Sequence, residues 1–133
     1  MRKPDFERDG WCLEDGEARA RRSPKTFQIP PRWVRKALEP GDFAQLIFRI
    51  ALDEEEDEEA ESVERMWVIV RERTATGYMG MLNNQPATVS ENDLFWLGTE
   101  LPFEPHHVID ARKANEESLE LALSPAPIPW LRH

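Results

Sequence analysis

Five consecutive apolar residues at positions 66–70, with charged residues on both sides, constrain the fold of this chain more than any other feature. The run is rich in β-branched and aromatic side chains, so it predicts a central strand that is covered on both faces. Residues 74–77 then predict a hairpin turn, and residues 78–82 predict the returning strand. The middle of the chain is therefore expected to be the centre of a sheet.

Alternating apolar residues predict further strands around this hairpin. The clearest is 42–52, in which Leu46, Phe48 and Ile50 share one face and Phe43 and Ile47 share the other. The shorter predicted strands or extended segments are 26–29, 87–89, 101–103, 107–109 and an edge strand at 118–123.

One helix is predicted after Pro31, which suits a first helical position. Trp33, Val34, Ala37 and Leu38 form one apolar stripe of two turns, and Pro40-Gly41 ends it. Trp33 and Trp67 are expected in the core. The predicted class is α+β and mainly β, a small and strongly bent antiparallel sheet or partial barrel with one short helix.

The length of 133 residues predicts one domain. Residues 1–26 are interpreted as an irregular or partly helical arm, which Trp11 and Leu13 would anchor. Residues 27–110 form the predicted core domain, with an acidic insert at 53–62. Residues 111–133 form a C-terminal extension that ends in a Pro-rich tail.

The net charge of −9 comes almost entirely from one segment, because residues 53–61 contain eight acidic side chains. We interpret this run as a solvated connection, and alternatively as a docking site for a basic protein surface. Nucleic-acid binding is not expected because the overall field repels phosphate, even though residues 19–25 are basic.

The sequence constrains the cellular compartment and the oligomeric state less than it constrains the fold. The one cysteine, Cys12, cannot form an intramolecular disulfide, and the sequence has no signal-peptide pattern and no apolar run of membrane-spanning length. We therefore predict a cytoplasmic domain that does not contact a membrane. The oligomeric state stays open.

His106, His107 and Asp110 are the only cluster with catalytic character, because a histidine near a carboxylate can act as a general base. On the predicted strand the two histidines would point to opposite faces. The sequence has no zinc-ligand spacing, so neither a metal nor another cofactor is expected. Acidic neighbours are expected to raise the pKa of the Cys12 thiol and to lower its reactivity.

Aromatic residues beside turns and termini are candidates for binding contacts, since aromatic side chains dominate interface hot spots. Phe95, Trp96 and Trp130 are of this kind. The alternative is that the tail folds back, so that these aromatic residues pack together.

Several motifs between Ile29 and Asp110 resemble an uncharacterised bacterial family catalogued as domain of unknown function 2314. The matching residues include 64–68, Gly77, Gly80, 82–86 and 107–110. The resemblance implies a compact bacterial domain, found alone or joined to other modules, and no activity. It marks Trp67, Asn83, Asn84, Pro86 and Asp110 as positions that fit the family pattern.

Two functional hypotheses follow. The first is a non-enzymatic protein-interaction or ligand-binding module, for which Asn83 and Asn84 join the aromatic residues as candidate contacts. The alternative is a small enzyme that uses a histidine and Asp110.

Overall fold

The computed structural model describes residues 2–51, 61–83 and 98–131, which form one antiparallel sheet with short helices around it. The strands are β1 (Trp11–Leu13), β2 (Phe43–Ala51), β3 (Glu61–Arg73), β4 (Tyr78–Leu82), β5 (Glu100–Phe103) and β6 (Asp110–Arg112). The helices are α1 (Phe6–Asp9), α2 (Gly16–Arg22), α3 (Arg32–Arg35), a 3-10 helix (Pro105–His107) and α4 (Glu116–Leu123).

The sheet is a curled half-barrel in the order β1-β2-β3-β4-β5, and β6 also pairs with β2. β1 and β6 lie along the same edge of β2 at its opposite ends, because Trp11 is paired with Ile50 and Asp110 with Gln45. The predicted class is confirmed. The described residues contain several short helices, whereas one helix was predicted. None of these helices is long and apolar enough to cross a membrane.

The central hairpin forms where the apolar run and the turn residues predicted it. The N–H of Thr74 donates to the carbonyl of Gly77 at 2.8 Å, and β3 pairs with β4 up to residue 82. A register shift between Val70 and Glu72 bends β3 at this point. β3 begins at Glu61, so the last two residues of the predicted acidic insert belong to the strand.

The main core lies on the inner face of the half-barrel. Alternate residues of β2 and β3 point into it, and the other elements close it. Its large members include Trp11, Leu46, Phe48, Ile50, Val68, Leu101, Phe103 and Trp130. A smaller cluster of Ile69, Met81 and Ala122 lies on the outer face, where α4 covers part of the sheet.

The predicted edge strand at 118–123 is wrong, because these residues belong to α4. The side chain of Asn115 accepts from the N–H of Ser118 at 2.8 Å, while the Ser118 hydroxyl accepts from the N–H of Asn115 at 2.9 Å. This reciprocal cap starts a helix. Leu119 and Leu123 lie four residues apart on its exposed side, and Leu123 is 85% exposed.

The first 26 residues are more regular than predicted. α1 ends at Gly10, whose φ of 79° favours glycine, and the chain then enters β1. Trp11 is buried and packs against the ring of Phe48, so its predicted anchoring role is confirmed. Residues 26–29 form no strand.

The prediction that Trp33 lies in the core is wrong, since its side chain is 74% exposed. α3 lasts one turn, and Arg35 is the residue that turns inward. Its guanidinium donates to the carbonyls of Pro30 at 2.8 Å and Pro105 at 2.9 Å. Leu38, beyond the helix, reaches the core in place of Trp33.

The predicted strand at 107–109 is also wrong. His107 ends the 3-10 helix, and β6 begins three residues later at Asp110. The predicted strand at 87–89 and the acidic residues at 53–60 lie outside the described residues.

Candidate functional site

Two rows of side chains cross the outer face where β6, β2 and β3 lie side by side. In one row Gln45 stands between Asp110 and Trp67, and in the next row Phe43 is paired with Arg112. Directly paired residues of antiparallel strands present their side chains on the same face. The pairing therefore brings Arg112 close to Trp67, although 45 positions separate them in the sequence.

Arg112 and Trp67 form the centre of the first groove, which we call the Trp67 groove. The guanidinium carbon of Arg112 lies 4.8 Å from the centroid of the Trp67 ring, which is a cation–π contact. The groove has a volume of about 350 Å³. It is lined by Phe43, Trp67, Asn83, Arg112, Lys113 and Asn115.

Trp67 is half-buried, so the prediction that it lies in the core is wrong in part. The cause is that successive side chains of a strand point to opposite faces of the sheet. Met66 and Val68 point to the inner core, so Trp67 points to the outer face. α4 covers that face at Ile69 and not at Trp67.

The cations of the Trp67 groove are not neutralised within the described part of the chain. Arg112 and Lys113 are exposed, and neither forms an ion pair with a carboxylate of residues 2–51, 61–83 or 98–131. None of the described residues that line the groove is acidic. The groove thus has a positive local field beside an aromatic surface.

A second groove, the Trp33 groove, lies on the other side of Arg112 and Lys113 and shares both residues with the first. Its volume is about 240 Å³. Apart from those two cations and Asp42, its lining is apolar: Trp33, Val34, Ala37, Leu38 and Ala111.

Asp42 forms no ion pair with Arg112 or Lys113. One of its carboxylate oxygens accepts from the N–H of Ala114 at 3.0 Å, and the other accepts from the N–H of Glu39 at 2.9 Å. The side chain is buried, and it fixes the start of β2 against the segment after β6.

A third groove of about 470 Å³ lies beyond Gln45, between the sheet and residues 26–30. Asp110 lines it together with Arg65, so its charge is mixed. The guanidinium of Arg65 contacts the Phe27 ring at 5.2 Å, and that of Arg19 contacts the same ring at 5.6 Å.

The two histidines lie side by side, with ring centroids 3.9 Å apart. Their ligand atoms and the carboxylate of Glu104 lie within 4.8 Å of one another. The Nδ1 atom of His107, however, accepts from the N–H of Glu104 at 2.9 Å. A neutral imidazole whose Nδ1 accepts carries its proton on Nε2, so neither nitrogen offers a free lone pair.

This tautomer suits neither a metal ligand nor a general base, since a metal-binding histidine donates through its second nitrogen. Burial, together with the neighbouring His106, lowers the pKa of His107 to about 4. Lys3 also holds the carboxylate of Glu104 at 3.1 Å. His107 therefore serves to fix the turn before β6.

The structure does not join the predicted histidine and aspartate. His107 lines a cavity of about 50 Å³, far below the size of ordinary ligand pockets. Asp110 lines the third groove, and one of its oxygens accepts from the N–H of Ala111 at 2.8 Å. Among the described residues, no hydrogen bond or ion pair connects the two side chains.

The other predicted contacts divide into three groups. Asn83 is exposed and lines the Trp67 groove. Trp130 is buried and packs edge-on against Trp11 at 5.9 Å, so the tail folds back and Trp130 is not an exposed contact. Asn84, Phe95 and Trp96 lie outside the described residues.

Neither the exposure of Trp33 nor the role of Arg112 and Lys113 was predicted from the sequence. Two adjacent cations at the end of a strand are a weak local signal. Their importance depends on the pairing of β6 with β2, which no nearby residue indicates.

As predicted, the pKa of Cys12 is raised. Burial is the largest cause, and Glu61, Glu14 and Asp5 add to it. The thiol is thus not an activated nucleophile.

Comparisons of the chain with protein-family models, with curated proteins and with solved structures found no match. The resemblance to domain of unknown function 2314 stays a prediction.

Proposed function

We propose that this domain is a non-enzymatic protein-interaction module, and that its Trp67 groove binds an acidic segment of a partner protein. One observation carries the proposal. Arg112 and Lys113 stand beside a half-buried tryptophan without a carboxylate partner among the described residues.

The shape of the groove supports a segment of protein over a small metabolite. Small-molecule sites enclose most of their ligand. Here Asn83, Arg112, Lys113 and Asn115 are all exposed, so the rim is open along its length. An extended acidic segment can lie in it and keep one side in solvent.

The net charge of −9 does not prevent such binding. Charges in solvent are screened beyond about 8 Å at physiological ionic strength, so a carboxylate in the groove senses mainly the two adjacent cations. The affinity is therefore expected to fall as salt is added.

No comparable observation supports the alternative, a small enzyme that uses a histidine and Asp110. Of its two candidate histidines, His107 lines a cavity too small for a substrate and uses its acceptor nitrogen in a backbone hydrogen bond. The interpretation of the acidic run as a docking site stays a prediction, since residues 53–60 lie outside the described part of the chain.

The test is fluorescence anisotropy with a short labelled poly-glutamate peptide, measured at low and at physiological salt. The double substitution R112A/K113A is expected to weaken binding by roughly tenfold or more, as the loss of close charge pairs does. The matched control is R21A/R22A, which also removes two adjacent exposed cations, from α2, and should change affinity less than about twofold.

Two results would overturn the proposal. One is the absence of saturable binding by the unaltered domain. The other is an equal loss of affinity in both double variants, which would show that only net charge matters.

A further inference from the structure

We infer that the acidic segment carries a large apolar side chain next to its carboxylates, and that this side chain enters the Trp33 groove. The inference rests on the proposed function and names its partner more closely. It follows from how the two grooves are joined.

The two grooves share one wall. Arg112 and Lys113 line both, so they form a cationic ridge with the Trp67 groove on one side and the Trp33 groove on the other. A chain whose carboxylates pair with the ridge must place neighbouring side chains over one groove or the other. Recognition of the charge therefore brings an adjacent residue to the apolar lining.

The lining of the Trp33 groove suits an apolar side chain. Trp33, Val34, Ala37 and Ala111 supply carbon surface, and the one carboxylate, Asp42, has both oxygens engaged by backbone N–H groups. Apart from Arg112 and Lys113 at its edge, no side chain among the described lining residues is left to select a polar ligand atom. At about 240 Å³ the groove is smaller than ordinary small-molecule pockets and fits one inserted side chain.

Trp33 presents a large aromatic surface to solvent beside this groove. The indole is 74% exposed, although burying a side chain of this kind is worth about 1.5–3 kcal/mol. Aromatic residues of this kind are typical interface anchors. Arg35 and Leu38 fix the segment that carries Trp33 to the core, so the fold already holds the indole in place.

Charge complementarity identifies the chemistry of the occupant. Arg112 and Lys113 line the Trp33 groove, are exposed, and form no ion pair with a described carboxylate. A segment that is acidic and also carries one bulky aliphatic or aromatic residue fits both properties, whereas a purely apolar partner leaves these cations unpaired.

The experiment compares two labelled peptides that are identical except at the centre, where glutamates flank either a leucine or a serine. Each is titrated by anisotropy against the unaltered domain and against W33A. The matched control is L123A, which removes an equally exposed large side chain from α4.

The unaltered domain is expected to bind the leucine peptide about tenfold more tightly than the serine peptide, because the leucine is removed from water. In W33A the affinities should converge on that of the serine peptide. In L123A the tenfold preference should remain.

The outcomes separate the two proposals. Equal affinity for both peptides would overturn this inference and leave the proposed function standing. No binding of either peptide would overturn both. A leucine preference that survives in W33A would also overturn the inference, since the apolar residue would then lie elsewhere.

Discussion

The two faces of the sheet consist of alternate residues of the same strands, yet they differ in composition and in the pairing of their polar groups. On the inner face β2 presents Leu46, Phe48 and Ile50, all buried in one core. On the outer face the same strand presents Ile47, which is also fully buried, and then Phe43 and Gln45, which are half-buried beside two grooves.

The hydroxyl of Tyr78, a polar group at the inner core, is paired. It donates to the carbonyl of Arg35 at 2.6 Å and accepts from the N–H of Leu38 at 3.1 Å. Such pairing is what burial requires, so stability alone explains it.

The cations of the outer face are not explained in that way. Arg112 and Lys113 lie in solvent, where they need no partner and contribute little to folding. The inner face is thus organised by the cost of burial, whereas the part of the outer face beside β6 carries cations that this cost does not explain. Substitutions on the two faces test this division.

Phe48→Ala should lower the free energy of unfolding by about 3–5 kcal/mol, since it empties space in a close-packed core. Trp67→Ala on the outer face should cost only about 1–2 kcal/mol, although the removed side chain is larger. Urea unfolding of the two variants measures both values. Equal costs would show that the outer face is as tightly packed as the inner one.

Tyr78→Phe should lower the free energy of unfolding by about 1–3 kcal/mol. The ring keeps its contact with Phe103, but the N–H of Leu38 loses its buried acceptor. Thermal and urea unfolding are the measurements. A change below about 0.5 kcal/mol would mean that this hydrogen bond does not hold the segment that carries Trp33 to the core.

His107 should make the domain less stable in mild acid. Its pKa is about 4 in the folded state and near 6.5 when exposed, so between these values only the unfolded chain takes up the proton. Stability conferred by the neutral ring is therefore present above pH 6.5 and lost as the pH falls toward 4.

His107→Asn provides the comparison, because its side-chain oxygen can replace Nδ1 as acceptor and does not titrate. From pH 7 to pH 5 the original domain should lose about 1–2 kcal/mol more than this variant in urea unfolding. Parallel losses in both proteins would contradict the lowered pKa.

Trp33→Ala should change the free energy of unfolding by less than about 0.5 kcal/mol, because the side chain lies mostly in solvent. Trp11→Ala, a matched change on the inner face, should cost several times more. If the melting temperature of W33A fell as far as that of W11A, Trp33 would have a structural role that its exposure does not indicate.

Local patterns were sufficient for the centre of the sheet. The apolar run of β3 and the turn after it require only neighbouring residues, and the alternation in β2 placed Phe43 and Phe48 on opposite faces correctly. The same rule failed for α4, because the cap between Asn115 and Ser118 outweighs the period-two spacing of the leucines.

The candidate site was predictable only in part. Asn83 and Trp67 were noted through the resemblance, and Asn83 does line the groove. Arg112, Lys113 and Trp33 gain their importance from neighbours far away in the chain, so their sequence positions alone gave no signal.

The sequence by itself determined the class of fold, the central hairpin, the inner face of β2 and the concentration of negative charge in one segment. Each follows from the properties of adjacent or alternating residues. Only the tertiary structure decided that β6 lies beside β2, that α3 leaves Trp33 in solvent, and that two grooves share one cationic ridge. Those features depend on which distant segments pack together, because a groove exists only between surfaces that folding brings side by side.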